Sequence, residues 1–212
     1  MDAPVPTRIE GVQDFLNRAD RDAAQLGQIL QLYWNYLHLL AASQMDRRLR
    51  VRCSPSDLVQ ETFLEAHRDF WKFRGSTERE FLGWLRQILV NNLVVAARRH
   101  LEAAKRDVRR EVSVEQMRAD LDTSGLCLAA LLAQTGTSPS SRLQREELLV
   151  ALADSMAELP QHYREVLILR HLQGRSFPEI AGRLERGVGA VRMLWLRAIG
   201  QLRARLSSRG LL

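Results

Sequence analysis

Apolar residues recur at helical spacing along most of the chain, and this pattern predicts an all-helical protein. Val59, Phe63, Ala66 and Phe70 lie at offsets of about 0, 4, 7 and 11 residues, so they share one helix face. Glycine and proline are sparse in such stretches, and no alternating β-branched run indicates a strand. We predict one helix or a pair over 11–50, and single helices over 55–74, 77–105, 142–158, 161–173, 176–184 and 188–206.

The helix predicted from residue 55 has a defined start and an acidic outer face. Ser54 can cap it, and Pro55 suits its first position. Asp57 falls in the first turn, where the helix dipole favours negative charge. The residues left outside the apolar stripe are Asp57, Gln60, Glu61 and Arg68. An acidic face beside a buried stripe predicts a docking surface.

The next helix, predicted over 77–105, has a polar flank that ends in arginines. Its predicted buried stripe is Phe81, Trp84, Leu85, Ile88, Val95 and Ala96, with Asn92 inside it as a structural residue. The residues that share the flank are Gln87, Asn91, Val94 and Arg98, and Arg99 follows. Amide and guanidinium groups in a row can bind unpaired base edges and phosphates. The plainer alternative is a solvated polar flank.

Residues 176–206 predict a helix-turn-helix. Ser176 and Glu179 match a capping box at the start of a short helix. The apolar face of that helix is Phe177, Ile180, Ala181 and Leu184. A break at 185–187 precedes a longer helix, whose predicted inward stripe is Val188, Val191, Leu194, Trp195, Ala198, Leu202 and Leu206.

The outward face of the longer helix combines arginines with small or apolar side chains. It carries Gly189, Ala190, Arg192, Met193, Leu196 and Arg197, with Arg203 and Arg205 further along. Guanidinium groups bind guanine or phosphate and alkyl groups contact thymine methyls, so this face suits a DNA major groove. The alternative is a helical hairpin with a solvated arginine face, in which Met193 and Leu196 pack on a neighbour.

Charge is distributed unevenly along the 212 residues, whose net charge is +6. Residues 86–110 hold seven Lys and Arg against two acids, and residues 160–212 hold ten Arg against three Glu. Residues 111–141 hold four acids against one Arg, together with loop signals rich in Gly, Ser and Thr. We therefore predict two helical domains, 11–110 and 142–208, joined by an acidic linker over 111–141.

Composition excludes several classes of protein. Apolar residues are 46% and charged residues 26%, and no run approaches the roughly 18 apolar residues of a membrane span. The first residues lack a secretory signal, so we expect a cytoplasmic protein. Cys53 and Cys127 have no metal-ligand spacing, and no histidine has a nucleophile or ligand set near it. We expect no disulfide, metal, cofactor or enzymatic activity.

Three ordered motifs together resemble the sigma-70 family of bacterial transcription initiation factors, of the extracytoplasmic-function (ECF) type. They lie in 57–63, in 81–99 and in 159–181, beginning Asp57-Leu58-Val59-Gln60-Glu61, Phe81-Leu82-Gly83-Trp84-Leu85 and Leu159-Pro160 respectively. The resemblance covers about 20–110 and 142–206, which would be sigma regions 2 and 4. The segment from Ala190 to Ala198 looks like the corresponding segment of planctomycete members of this family.

The resemblance implies partners and site residues. Asp57, Gln60 and Glu61, with Phe63 and His67 nearby, would bind the clamp helices of the polymerase β′ subunit. Gln87, Asn91, Arg98 and Arg99 would hold the melted minus-10 element. The set Gly189, Ala190, Arg192, Met193, Leu196 and Arg197 would read the minus-35 duplex, beside the β flap. The linker would thread toward the polymerase active centre, and an anti-sigma factor becomes a candidate partner.

Departures from the family pattern limit how far its contacts transfer. Gly187 stands where a serine usually begins the recognition helix, Leu194 replaces a frequent arginine and Val95 a frequent aspartate. These side chains therefore do not specify a promoter sequence. The alternative function is a stand-alone helix-turn-helix regulator that binds duplex operators and dimerises through its N-terminal half.

Overall fold

The computed structural model describes residues 8–17, 23–45, 47–50, 52–102, 119 and 142–211. Within these residues all regular secondary structure is helical, as predicted. The helices are α1 (Arg8–Asn17), α2 (Ala23–Leu32), α3 (Trp34–Gln44), α4 (Arg47–Arg50), α5 (Pro55–Asp69), α6 (Glu78–Glu102), α7 (Arg142–Ala157), α8 (Gln161–Leu167), α9 (Phe177–Arg183) and α10 (Val188–Ser208). A 3-10 turn, Phe70–Lys72, follows α5, and a π-helical segment, Ile168–Leu172, continues α8. Apart from residue 119, the predicted linker and Cys127 lie outside the described residues.

The N-terminal stretch folds into four helices, so the prediction of one helix or a pair over 11–50 was wrong. At Tyr33 the backbone leaves helical geometry, with φ −103° and ψ 4°, and at Met45 it becomes extended. Neither position has a glycine or proline, so no local signal marks these breaks. The predicted apolar positions are nevertheless all buried: Phe15, Leu26, Ile29, Leu30, Tyr33, Leu37 and Leu40.

Helix α3 is buried on nearly all sides because it packs between two sets of helices. It contacts α5 and α6 on one side, and α7 with the segment Ile168–Leu172 on the other. Its buried residues are Tyr36, Leu37, Leu39, Leu40, Ala41, Ala42 and Ser43. A helix that is apolar all round needs such cover, since any exposed side would leave apolar surface in water.

We call the contact of α3 with α7 and Ile168–Leu172 the seam, because it joins residues 8–102 to residues 142–211. Polar bonds supplement its apolar packing. Asn35 Nδ2 donates to Asp154 Oδ1 at 3.0 Å. Gln173 Nε2 donates to the backbone oxygens of Ala42 and Ser43 at 3.4 and 3.1 Å, at the C-terminal end of α3. Buried apolar residues of the two halves form one contiguous cluster.

Helices α5 and α6 pack against each other below a cluster of aromatic rings. The Phe73 ring lies 5.2 Å from Trp84 and 5.6 Å from Phe81. The chain turns between them at Gly75, where a Cβ would overlap the Phe73 ring, so only glycine fits this approach. The start of α6 is capped by Thr77, whose Oγ1 accepts from Glu80 N at 3.2 Å.

The buried side of α6 is wider than one stripe, and two predictions about it were wrong. Val94, expected on the polar flank, is buried, while Val95, expected inside, is 40% exposed. The reason is that α1, α3, α4 and α5 all contact α6, so neighbours cover more than one face. Asn92 is buried as expected, and its Nδ2 donates to Thr62 Oγ1 at 3.3 Å.

In the second half, α7, α8 and α9 pack on α10. Val191, Ala198, Leu202 and Leu206 have no exposed surface, so they form the predicted inward stripe. Truncating a fully buried leucine such as Leu202 to alanine should cost about 2–5 kcal/mol. Val188, predicted inside, is 36% exposed because the first turn of α10 extends beyond this core.

Among the helices of the described residues, none combines the length and the apolar character of a membrane span.

Candidate functional site

The predicted docking residues lie on α5, and four of the five are exposed. Asp57, Gln60, Glu61 and His67 face solvent. Phe63 is half-buried, and its ring meets the Trp34 ring edge-on at 5.8 Å between centroids. The structure therefore separates Phe63, which supports the helix, from the exposed acidic group.

Asp57 caps α5 as well as contributing charge to its face. Ser54 N donates to Asp57 Oδ2 at 2.9 Å, and Asp57 N donates to Ser54 Oγ at 3.1 Å. This capping box confirms the predicted helix start. It also adds a role that was not predicted, because the Asp57 side chain itself completes the box. The hydrogen bonds from the Ser54 backbone and side chain lower the pKa of Asp57. Its carboxylate is therefore ionised at neutral pH.

The Cys53 thiol, just before α5, responds to burial and to the carboxylates of Asp57 and Glu61. Burial raises the pKa of the Cys53 thiol, and the charges of Asp57 and Glu61 raise it further. Both carboxylates thus act on the same neighbour, as expected if they form one negative patch.

Two exposed apolar residues, one on α5 and one just after it, were missed. Leu64 is 73% exposed, and spacing alone could have found it, because 57, 61, 64 and 68 share a helix face. Trp71, in the turn after α5, is 68% exposed, with Lys72 Nζ 5.2 Å from its ring centroid. We call Asp57, Gln60, Glu61 and Leu64 together the acidic face.

The polar flank of α6 brings two of its predicted residues into direct contact. Gln87 Nε2 donates to Asn91 Oδ1 at 2.8 Å. Asn91 is exposed, and within the described residues no hydrogen bond engages its nitrogen, which is therefore available as a donor. Arg98 and Arg99, further along α6, are also exposed. The flank thus presents an amide donor and two cations to solvent.

All six residues predicted to contact duplex DNA are exposed on α10. They are Gly189, Ala190, Arg192, Met193, Leu196 and Arg197, and we call them the basic face. Met193 is 51% and Leu196 53% exposed, so neither is covered by a neighbouring helix. The Arg192 guanidinium lies 5.7 Å from the Phe177 ring centroid, so α9 helps to orient it. Arg205 instead pairs with Glu158 at 2.5 Å, away from the basic face.

Helix α9 and the turn after it fix the start of α10. The predicted capping box is present: Ser176 N donates to Glu179 Oε2 at 2.8 Å. In the turn, Glu185 adopts a positive φ of 53°, which is uncommon for a residue other than glycine. Gly187 occupies the N-cap of α10, where no side chain can cap the helix.

A half-buried pair of rings joins α10 to the segment Ile168–Leu172. Trp195 Nε1 donates to His171 Nε2 at 2.9 Å, and Trp195 also meets Phe177 edge-on at 5.7 Å. Burial, followed by the charge of Arg170, lowers the pKa of His171 to about 4. The imidazole is therefore neutral at pH 7, as an acceptor must be. It packs α10 against the segment Ile168–Leu172.

A family model matches the C-terminal part of the chain, and known proteins align with most of it. Residues 149–202 match the family model described as sigma-70, region 4. The ECF RNA polymerase sigma-E factors of Salmonella typhimurium (strain LT2) and Escherichia coli (strain K12) are each 32% identical to this chain over 145 residues. That alignment covers 67% of this chain and 68% of each relative. The Haemophilus influenzae protein of the same name is 31% identical over 143 residues, or 67% of this chain and 69% of its own.

The alignment to these relatives extends well beyond the region 4 match, since it covers 145 residues against the range 149–202. The family therefore accounts for both halves of the chain. On this similarity and on its all-helical structure, the chain belongs to the extracytoplasmic-function sigma factors of RNA polymerase.

Proposed function

We propose that this sigma factor binds core RNA polymerase through the acidic face of α5 and promoter DNA through α6 and α10. It thereby directs promoter recognition, melting and transcription initiation. The observation that carries the proposal is the presence, on one chain of this family, of two exposed helix faces with opposite charge. The protein supplies no chemistry of its own, because the polymerase makes the RNA, and it works in the cytoplasm with that enzyme.

The acidic face fits the β′ clamp helices of the polymerase. Asp57 and Glu61 are exposed carboxylates, and Asp57 is kept ionised by its capping bonds. Gln60 adds an exposed amide. Leu64, 73% exposed beside them, supplies an apolar contact that would be covered on docking. His67 lies at the far end of the same helix, and Phe63 acts indirectly by packing on Trp34.

The flank of α6 fits the minus-10 element after it has melted. The Asn91 nitrogen is available to an unpaired base edge, and its oxygen is already held by Gln87. Arg98 and Arg99 lie about two turns further along, where they can follow the phosphates of the same strand. Hydrogen bonds to base edges and a cationic path along the phosphates are two means by which proteins bind single strands.

The basic face fits the duplex minus-35 element. Arg192 and Arg197 supply cations for guanine edges and phosphates, while Met193 and Leu196 suit thymine methyl groups. Gly189 and Ala190, at the start of α10, are small enough to let the helix approach the groove closely. The β flap of the polymerase is the proposed support for this half of the protein.

We further infer that residues 11–110 and 142–208 act as separate domains on the promoter, joined by the acidic linker. An anti-sigma factor would compete with polymerase for these surfaces. The sequence from Ala190 to Ala198 supports kinship with planctomycete members of the family.

Run-off transcription tests the proposal. Purified core polymerase, the full-length protein and a pool of genomic promoter fragments should yield discrete transcripts that are absent without the protein. A matched reaction with Glu61→Arg should yield none, because the charge on the acidic face is reversed. Repression instead of initiation, or transcripts insensitive to Glu61→Arg, would favour the stand-alone regulator.

A further inference from the structure

A cavity of about 270 Å³ lies at the seam, next to the end of α3. His38 lines it from α3 and Arg50 from α4, whereas Gln161, Arg164 and Glu165 line it from α8. The polar rim is therefore assembled from both halves of the chain. Pro55, at the start of α5, also lines it, whereas none of the residues of the acidic face or the basic face does.

The rim of the cavity carries more positive than negative charge. Arg50 is oriented by two bonds to the end of α3, since its Nε donates to Met45 O at 3.2 Å and its Nη2 donates to Ala42 O. Burial lowers the pKa of Arg50, the charge of Arg183 lowers it further, and Glu165 opposes this shift. Two arginines on the rim and a third nearby thus face one carboxylate.

Arg164 is the rim arginine most available to a ligand. In the part of the chain that the structure describes, no hydrogen bond or ion pair joins its side chain to another residue. Its charge acts on His38, whose pKa is lowered first by burial and then by Arg164 and Arg50. An anion between these groups would relieve their mutual repulsion and accept their hydrogen bonds.

The floor of the cavity is apolar and indicates the kind of anion that fits. Ala42, Ile168 and Leu169 line it, and Ile168 and Leu169 belong to the π-helical continuation of α8. A bare hydrated ion would gain nothing from this wall, whereas the carbon skeleton of an organic ligand would lose apolar surface to it. The volume exceeds what one phosphate group fills.

We propose that the cavity binds a small organic phosphate, with the phosphate held by Arg164, His38 and Arg50 and the organic part on the apolar floor. Because the rim comes from both halves, the ligand binds only while the seam is formed. Binding therefore stabilises the joined halves and opposes their separation. This inference concerns binding alone and does not depend on the function proposed above.

Isothermal titration of the full-length protein tests the site with adenosine monophosphate, glucose 6-phosphate and inorganic phosphate, at constant ionic strength in sodium chloride. We expect saturable binding of the two organic phosphates at one site per chain and weaker binding of inorganic phosphate. Arg164→Gln should weaken organic phosphate binding by about tenfold or more, through loss of a charge-assisted hydrogen bond. Arg164→Lys, which keeps the charge, should retain part of the affinity.

Arg79→Gln is the matched control, because Arg79 is an exposed arginine in the first turn of α6 and does not line the cavity. Its affinity should equal that of the unmodified protein. An equal loss in both glutamine variants would mean non-specific attraction and would overturn the site. The proposal also fails if neither organic phosphate binds up to about 10 mM. Circular dichroism of each variant verifies the fold.

Discussion

Helices α5 and α10 are built alike but present opposite charge. Each buries an apolar stripe in the core and leaves large apolar side chains in solvent, Leu64 on α5 and Met193 with Leu196 on α10. Around these side chains α5 carries Asp57 and Glu61, whereas α10 carries arginines. We expect both faces to bind partners that cover this apolar area. We expect the sign of the surrounding charge to distinguish a protein partner from a nucleic acid.

The two helices also begin differently. A complete capping box starts α5, whereas α10 starts at Gly187 without a side-chain cap. Asp57 is therefore committed to both helix stability and the acidic face, so its substitution changes two properties together. The first turn of α10 lacks such a dual residue, and its basic face can be altered without loss of a cap.

The largest expected effect is on polymerase binding. Asp57→Ala combined with Glu61→Ala should weaken co-purification with core polymerase by about a hundredfold, because buried charge contacts at an interface are lost. Ser54→Ala is the control: it breaks the same capping box, at a cost of about 1 kcal/mol, but keeps both carboxylates. Equal loss of binding in the control would show that helix stability, not charge, controls docking.

The second effect is on promoter binding through α10. Arg192→Ala should weaken binding of a cognate promoter duplex by about 1–3 kcal/mol, as measured by fluorescence anisotropy, and should leave core association unchanged. Arg205→Ala is the matched control on the same helix, because Arg205 is paired with Glu158. If the two variants behave alike, the basic face is not the reading surface.

The third effect is a pH dependence to which His171, in the second half, contributes. His171 has a pKa of about 4 in the folded protein against an ordinary value of 6.5, so only the unfolded chain takes up its proton between these values. The contribution of the neutral His171 to the free energy of unfolding should therefore be complete above about pH 6.5. It should be lost as the pH falls toward 4. Protonation also removes the acceptor of the Trp195 bond.

Thermal unfolding followed by circular dichroism from pH 7.5 to 4.5 measures this decline. His171→Gln keeps an acceptor but does not titrate, so its melting temperature should depend less on pH. If the melting temperature of His171→Gln depends on pH as steeply as that of the unmodified protein, other groups cause the decline. Asp57, with its lowered pKa, stays ionised throughout this range.

The smallest effect is a gain of stability at the start of α10. Gly187→Ser supplies the missing cap at a position whose backbone, φ −67° and ψ 146°, already suits an N-cap and where a Cβ meets no atom within 4 Å. We expect about 0.5–1 kcal/mol of added stability and a rise of a few degrees in melting temperature. A lower melting temperature would contradict the idea that a missing cap at Gly187 limits the stability of α10.

Local signals explain which elements could be predicted from the sequence. The starts of α5 and α9 were predicted correctly because a capping box and its apolar stripe lie within a few residues of each other. The exposed set on α10 followed from helical periodicity alone. By contrast, the breaks at Tyr33 and Met45 depend on packing with distant helices, and no turn residue marks them.

Errors at the candidate site have the same origin. Val94 and Val95 are adjacent, and their burial depends on how many helices surround α6. The pairing of Arg205 with Glu158 and the bond between His171 and Trp195 join residues far apart in sequence. The cavity at the seam requires both halves, so no segment read alone indicates it.

The burial of α3 on two sides has a consequence for synthesis on the ribosome. The residues that cover its second side begin at Arg142, about 100 residues after α3 ends. At translation rates of about 5–20 residues per second, that side stays uncovered for roughly 5–20 s. During this time the nascent chain presents an apolar helix surface, including Leu39 and Ala42, that a chaperone or another chain can bind.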